Sequence, residues 1–393
     1  MKVLICGAGI AGLTLAWHLE RSGWEVELVE RAPAFRDGGY LIDFYGPGYE
    51  VAELMGLKPR LLEARYPVTE LSYVDGGGRR TSHLTMPPDF SAKVVSVLRG
   101  DLARAIQDGV RSPVLYGASV EEVRQAGDGV AVRLTDGTER HVDLLVGADG
   151  AHSRVRGLVF GDEGRFLRHL GHHVAAYTMY DEVLSERAGR RYEMLTVPGT
   201  MAGAYALREG RIALLFLRRE PDPAVPADPR AALLSHYGDL GWILPEALPH
   251  CPEPPRLYYD QVTQVHLDEW SRGRVVLLGD ACHAVSLFAG HGASLAMAGA
   301  WILAGELAAG GDVAAALTRY QNRLQPTVTE VQRFGRRFVH WMAPSSQWRV
   351  AARDLMLRLA KLPGGGRLFL GALITEGSDL IRPARPVGRA ERG

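Results

Sequence analysis

The sequence predicts an α/β fold: a parallel sheet interleaved with helices, an inserted block of antiparallel strands, and a long C-terminal helix. Three observations predict it. The first thirty residues read strand, glycine turn, helix, strand. Two later apolar strands, in the stretches 144–156 and 274–284, each end in a Gly/Asp turn. Residues 165–265 switch to short segments of alternating polarity joined by Gly, Pro and charged turns.

The totals bound the rest. A chain of 393 residues suits two domains, or one large α/β unit with an insertion. Formal net charge is zero and there is no basic, aromatic-interleaved stripe, so no nucleic-acid partner is expected. Cys6, Cys251 and Cys282 show no C-x-x-C spacing and read as buried or free thiols in a reducing cytoplasm. Residues 281–305 carry no Asp, Glu, Lys or Arg and are long enough to span a bilayer. Their first half is rich in Gly, Ser and His and would expose backbone polar groups to lipid, so a core helix is expected instead.

In the N-terminal unit, Val3–Cys6 is a buried strand and Gly7-x-Gly9-x-x-Gly12 makes the turn, with Ile10 and Ala11 opening a helix that runs to about Arg21. A second strand ends at Glu30. The pattern is Rossmann-like. Gly7 permits a tight turn, Gly9 lets backbone approach a pyrophosphate, and Gly12 lets helix and strand pack closely. The helix N-terminus offers free N–H groups to the diphosphate. Glu30 stands where a carboxylate can accept from both ribose hydroxyls, which favours an unphosphorylated ribose as in FAD or NAD. Arg31 can flank the adenine; its bland reading is a solvated arginine.

"LLVGADGAHSRVR" (144–156) and "RVVLLGDACHA" (274–284) each place an Asp, Asp149 and Asp280, at the C-terminal end of a strand, where open α/β sheets bind ligands. With the N-terminal fingerprint, this order resembles the class A flavoprotein monooxygenases of the para-hydroxybenzoate hydroxylase fold. It is closest to the group of the tetracycline-modifying and natural-product tailoring enzymes. The resemblance runs from Met1 to about Pro363. It implies non-covalent FAD, with NADPH or NADH as transient reductant. Gly7, Gly9 and Gly12 would hold the pyrophosphate and Glu30 the ribose. Arg99, before an Asp101-capped helix, would contact the flavin side, and Asp280 the ribityl and pyrophosphate region. Asp149 would serve FAD and the nicotinamide cofactor; the alternative for Asp149 and Ser153 is a helix cap, and for Arg156 a structural ion pair.

The loop "GDACHAVSLFAGHG" (279–292) would pass the isoalloxazine ring, with Gly290 and Gly292 allowing close approach. Ala293 and Ser294 open a helix whose positive end would face the flavin. Relatives usually read GDAAH-x-x-x-P and then G-Q-G-x-N; here Leu287 replaces the proline, His291 the glutamine and Ser294 the asparagine. Leu287 and His291 are therefore the candidate catalytic positions, His291 as a proton donor or as simple loop packing. His283 and His291 have no carboxylate or cysteine cluster at ligand spacing, so no metal site is expected.

The domain boundaries expected are 1–65, 99–164 and 266–312 for a discontinuous FAD-binding domain, and 66–98 with 165–265 for a substrate-binding domain. The latter reads as one antiparallel sheet roofing the flavin, with Tyr177, Met179, Tyr192, Met194, Tyr205 and Phe216 as candidate pocket residues or core. Residues 313–363 form a bridging helix, broken near Pro326 and at Ala343-Pro344, and 383–393 a disordered tail. The function implied is hydroxylation of an aromatic or polyketide-like small molecule through a flavin C4a-hydroperoxide, in a cytoplasmic monomer or weak homodimer. The departures at Leu287 and beyond motivate a redox-neutral cyclase with structural FAD as the alternative, and a dehydrogenase or oxidase as the third reading.

Overall fold

A six-stranded sheet carries the N-terminal unit in the computed structural model, which describes residues 1–35, 40–86, 94–127, 129–254, 256–359 and 378–381. Its strand order is Ser271–Arg272, Val275–Leu277, Leu144–Gly147, Lys2–Cys6, Glu25–Glu30, Val114–Tyr116. Every neighbouring pair is parallel except the two-residue edge strand. Strands covered on both faces need continuous apolar runs, and Val3, Leu4, Ile5 and Leu144, Leu145, Val146 are fully buried. The helix after the glycine turn, Ile10–Arg21, packs on the helix Gly292–Ala308. That contact explains the charge-free run 281–305. Among the described residues no helix is long and apolar enough to cross a membrane.

A three-stranded antiparallel sheet, Val120–Ala126, Gly129–Leu134 and Glu139–Val142, lies between these parts in sequence.

The second large sheet has seven strands, in the order Tyr258–Val265, Leu167–Tyr180, Arg211–Arg219, Thr200–Ala206, Arg191–Val197, Glu70–Val74, Arg80–Thr85. The expectation of one antiparallel sheet needs correction, because Arg191–Val197 pairs with Glu70–Val74 in parallel. Those two strands come from segments far apart in the chain, so no hairpin dictates their direction. A separate two-stranded ribbon joins Leu41–Phe44 to Val95–Leu98.

The long helix runs unbroken from Val313 to Met342 with Pro326 inside it. The expected break near Pro326 is therefore absent. Proline in a helix interior costs about 3 kcal/mol. Burial of a Leu or Val side chain returns roughly 1.5–3 kcal/mol each, and Leu317, Leu324, Val328, Val331 and Val339 are all buried along this helix. Packing on both sides of the proline outweighs the local defect. The helix does end at Ala343, and a further helix spans Gln347–Leu359. Residues 360–363 of the bridging helix, and the tail 383–393, lie outside the described residues.

Burial pushes His18, His172, His266 and His283 down to about 4. A histidine with a lowered folded-state pKa stabilises the fold above its unfolded value of about 6.5 and loses that contribution as the pH falls through the folded value. The melting temperature of the protein is therefore expected to fall steadily between these two pH values. A flat profile there would show that the four rings are not held neutral.

Candidate functional site

The three fingerprint glycines do different jobs. A Cβ on Gly7, whose φ is +108°, would lie 2.4 Å from the Ala148 carbonyl oxygen, and one on Gly12 would lie 2.0 Å from the Gly7 oxygen. Both positions are closed by backbone. A Cβ on Gly9 would meet nothing nearer than Arg99 Nη2 at 3.8 Å. Gly9 caps the helix in extended conformation with no side-chain hydrogen bond, so the first-turn amides have no side-chain acceptor from their cap residue.

Gly9, Ile10 and Ala11 line one wall of a cavity of about 550 Å³. Arg99, Asp280, Gly290, Gly292 and Ala293 line it too. Asp280 follows Gly279, which has φ +65°, and begins a short helix ending at His283. Burial raises the Asp280 carboxyl pKa, and the Arg99 guanidinium pulls it back. Arg99 itself opens the helix Arg99–Gln107 with Leu98 as its cap; Asp101 lies in the first turn rather than at the cap. An open glycine face at a helix N-terminus, an arginine beside it and a carboxylate open to the cavity fit a flavin dinucleotide, with phosphates at the first two and a polyol at the third.

Other expected contacts turn elsewhere. Glu30 lies outside the cavity wall; its carboxylate accepts from Ala8 N at 3.0 Å and Ala32 N at 2.9 Å, tying the second strand to the glycine loop. Arg31 is exposed. The Asp149 carboxylate accepts from Ser153 Oγ at 2.5 Å, Arg154 N at 2.7 Å and Val155 N at 3.1 Å. It serves the first-turn amides of the helix Arg154–Phe160, whose N-cap is Ser153, and does not line the cavity, whereas Ala148, Gly150 and Ala151 do. Ser294 Oγ accepts from Gly48 N at 2.8 Å, where two helices touch backbone to backbone, so it too is spent on packing.

His291 is 3% exposed. Its Nδ1–H donates to the Ala289 carbonyl at 2.5 Å, and its ring meets Tyr45 edge-on at 4.9 Å. It is not on the cavity wall, and burial lowers its pKa, so the proton-donor reading gives way to loop packing. Leu287 does line the cavity. So does Ser286, its neighbour in the quoted loop: a non-glycine residue at φ +82°, with a buried hydroxyl lacking any hydrogen-bond partner among the described residues. Such backbone strain costs on the order of 1–3 kcal/mol and gathers at functional sites.

Of the six candidate pocket residues, Tyr192 and Tyr205 line the cavity. Met194 packs in the core with Phe288, Val339 and Met342. Tyr177, Met179 and Phe216 are on the far face of the sheet, in a core with Tyr237 and Leu244. Tyr177 and Phe216 stack at 5.7 Å, and the Tyr177 hydroxyl donates to the Ala247 carbonyl. The reason is the two-residue period of a strand: Val174 and Leu215 face the cavity, so their odd-numbered and even-numbered neighbours respectively do not. The structure adds Tyr40, Asp43, Tyr258, Asp260, Phe338 and Met342 to the wall. Among the described residues no group of three or more His, Cys, Asp or Glu gathers as a metal site.

A family model described as an FAD binding domain matches residues 1–162 and 258–335. The chain is 36% identical, over 79% of its length and 86% of the relative, to the uncharacterized protein Rv1260 of Mycobacterium tuberculosis. It is 32% identical to a flavin-dependent monooxygenase from an unknown prokaryotic organism, over 85% of this chain and 88% of that one. The crystal structure of tetracycline destructase Tet(51) superposes with a TM-score of 0.78 at 29% identity, covering 91% of this chain and 96% of the other.

Proposed function

The chain belongs to the FAD-binding flavin-dependent monooxygenases, an oxidoreductase family, and from that premise we propose that it hydroxylates an aromatic or polyketide-like small molecule at the expense of NADPH or NADH. The observation that carries this reading is one continuous cavity. It has the Gly9 loop, Arg99 and Asp280 on its wall together with Tyr192, Leu215, Phe338 and Met342 from the second sheet and the long helix. Cofactor and substrate chemistry can meet there without crossing a protein layer. Bound FAD would supply electron transfer from the nicotinamide to dioxygen.

The chain's own residues bind, orient and exclude water. Gly9 and the amides of its helix would seat the diphosphate, Arg99 would neutralise it, and Asp280 would accept from the polyol. The helix beginning at Gly292 directs its positive end toward the cavity, where it would favour negative charge on a reduced ring. Leu287, Phe288, Phe338 and Met342 supply an apolar wall that keeps solvent from the reacting carbon. The nearness of the tetracycline destructase fold favours a polycyclic or aromatic substrate.

The redox-neutral reading rests on Leu287 and the strained Ser286 beside it. The two separate cleanly. Anaerobic titration with NADPH and NADH, with the substrate under trial present, is expected to bleach the flavin bands, and air to restore them. Isotope-labelled dioxygen should then appear in the product. A flavin that stays oxidised with a turned-over substrate bound would assign the protein to cyclase chemistry. Bleaching without label in the product would assign it to a dehydrogenase or oxidase.

A further inference from the structure

Asp43 stands on the cavity wall with no counter-ion among the described residues. It lies in the strand Leu41–Phe44, directly across from Ser96 on Val95–Leu98, and both residues line the cavity. Ser96 Oγ donates to Asp43 Oδ1 at 2.5 Å. No other hydrogen bond and no salt bridge reaches this carboxylate from the described residues, and neither cavity arginine, Arg65 or Arg99, pairs with it. The side chain is open to the cavity yet deep in the protein, and burial raises its carboxyl pKa against the pull of Ser96.

Tyr192 and Tyr205 share the cavity wall with it. The phenols of Tyr45, Tyr192 and Tyr205 are all pushed up by burial and further by the charge of Asp43. Tyr192 and Tyr205 meet edge-to-face at 5.5 Å on the cavity wall, and among the described residues the buried Tyr192 hydroxyl has no hydrogen-bond partner. Once a ligand shuts water out of this cavity, such a carboxylate either acquires a cation or gives up its charge. The described residues offer it no cation. They do offer groups that can hold an ammonium ion, a carboxylate and two tyrosine rings on one cavity wall.

We propose that Asp43, positioned by Ser96, recognises a protonated amine on the substrate, with the rings of Tyr192 and Tyr205 beside it. The proposal rests on the monooxygenase reading of this cavity and narrows its substrates to basic molecules. The amine nitrogen donates to the free Asp43 Oδ2, and a substrate carboxylate at that end meets like charge.

The FAD-loaded protein, titrated with benzylamine, benzyl alcohol and benzoate, tests this through the shift of the flavin absorption bands on binding. Benzylamine is expected to bind about tenfold tighter than benzyl alcohol, with benzoate weakest. Asp43→Asn should erase the advantage of the amine while keeping its FAD, and Ser96→Ala should reduce it. Equal affinity for amine and alcohol, a preference for benzoate, no shift with benzylamine, or an unchanged preference in Asp43→Asn would each overturn the proposal. A wild-type protein that carries no flavin would instead overturn the cofactor reading beneath it.

Discussion

Replacing Gly9 by Val is expected to leave a folded, colourless protein, whereas replacing Gly12 by Ala is expected to leave little folded protein of any colour. The two glycines sit three residues apart in one motif, but their surroundings differ. A Gly12 Cβ would lie 2.0 Å from the Gly7 oxygen and 3.2 Å from Ile5 Cγ2. The nearest obstacle is backbone, so no side chain can step aside. Separating the helix from its strand at the centre of the core would consume much of the roughly 5–15 kcal/mol that holds a domain folded. Gly9 has φ −82°, which any residue adopts, and open space where its Cβ would go. Valine there would fill the place we propose for a phosphate, and FAD affinity should fall about a hundredfold or more. Flavin absorbance after purification and a circular-dichroism melt read the two effects separately. A yellow Gly9→Val protein would remove the diphosphate from this loop.

Arg156→Met is expected to cost about 2–4 kcal/mol of stability, because it strips buried carbonyls of their donor. The side chain is fully buried. Nη1 donates to the Ala281 carbonyl at 3.0 Å, and Nη2 to the Ala151 carbonyl at 2.7 Å and to Glu163 at 3.3 Å. Ala151 follows the Asp149-Gly150 turn and Ala281 follows Asp280, so one guanidinium clamps the two Asp-bearing turns together. Its role is structural, and its loss should weaken FAD retention through a displaced Asp280. Urea denaturation of the apo-protein checks the first effect and flavin retention the second. Arg156→Lys, which keeps the charge but loses the fork, should recover only part of the loss. An unchanged urea midpoint would show that the clamp carries no weight.

The N-terminal unit was legible because its signals are local: an apolar strand, three glycines and a terminal acid within thirty residues. The flavin reading of the chain came from its resemblance to the class A flavoprotein monooxygenases, carried by the glycine fingerprint and two strand-ending aspartates. What the sequence hid was the direction of side chains. Asp149 and Ser294 carry suitable atoms in suitable motifs, yet both are used by backbone amides, of Arg154 and Val155 in one case and Gly48 in the other. Tyr177 and Tyr192 look alike as candidates, and only the register of seven strands from separate segments decides which meets the cavity. Asp43 had no spacing signal, being one acid in a four-residue strand whose partner lies some fifty residues on. Pro326 shows the converse, a strong local rule overridden by packing.

The strand orders have a consequence in time. In the six-stranded sheet Leu144–Gly147 waits for Val275–Leu277, and in the seven-stranded sheet Leu167–Tyr180 waits for Tyr258–Val265. The seven-stranded sheet cannot close until Val265 has left the ribosome, nor the six-stranded sheet until Leu277 has. At about 5–20 residues per second, the roughly 130 residues from Gly147 to Leu277 leave an open strand edge on the nascent chain for roughly 6–26 s. Through that interval this chain depends on whatever shields those edges, and a ribosome that stalls before Tyr258 releases two unfinished sheets rather than one finished domain.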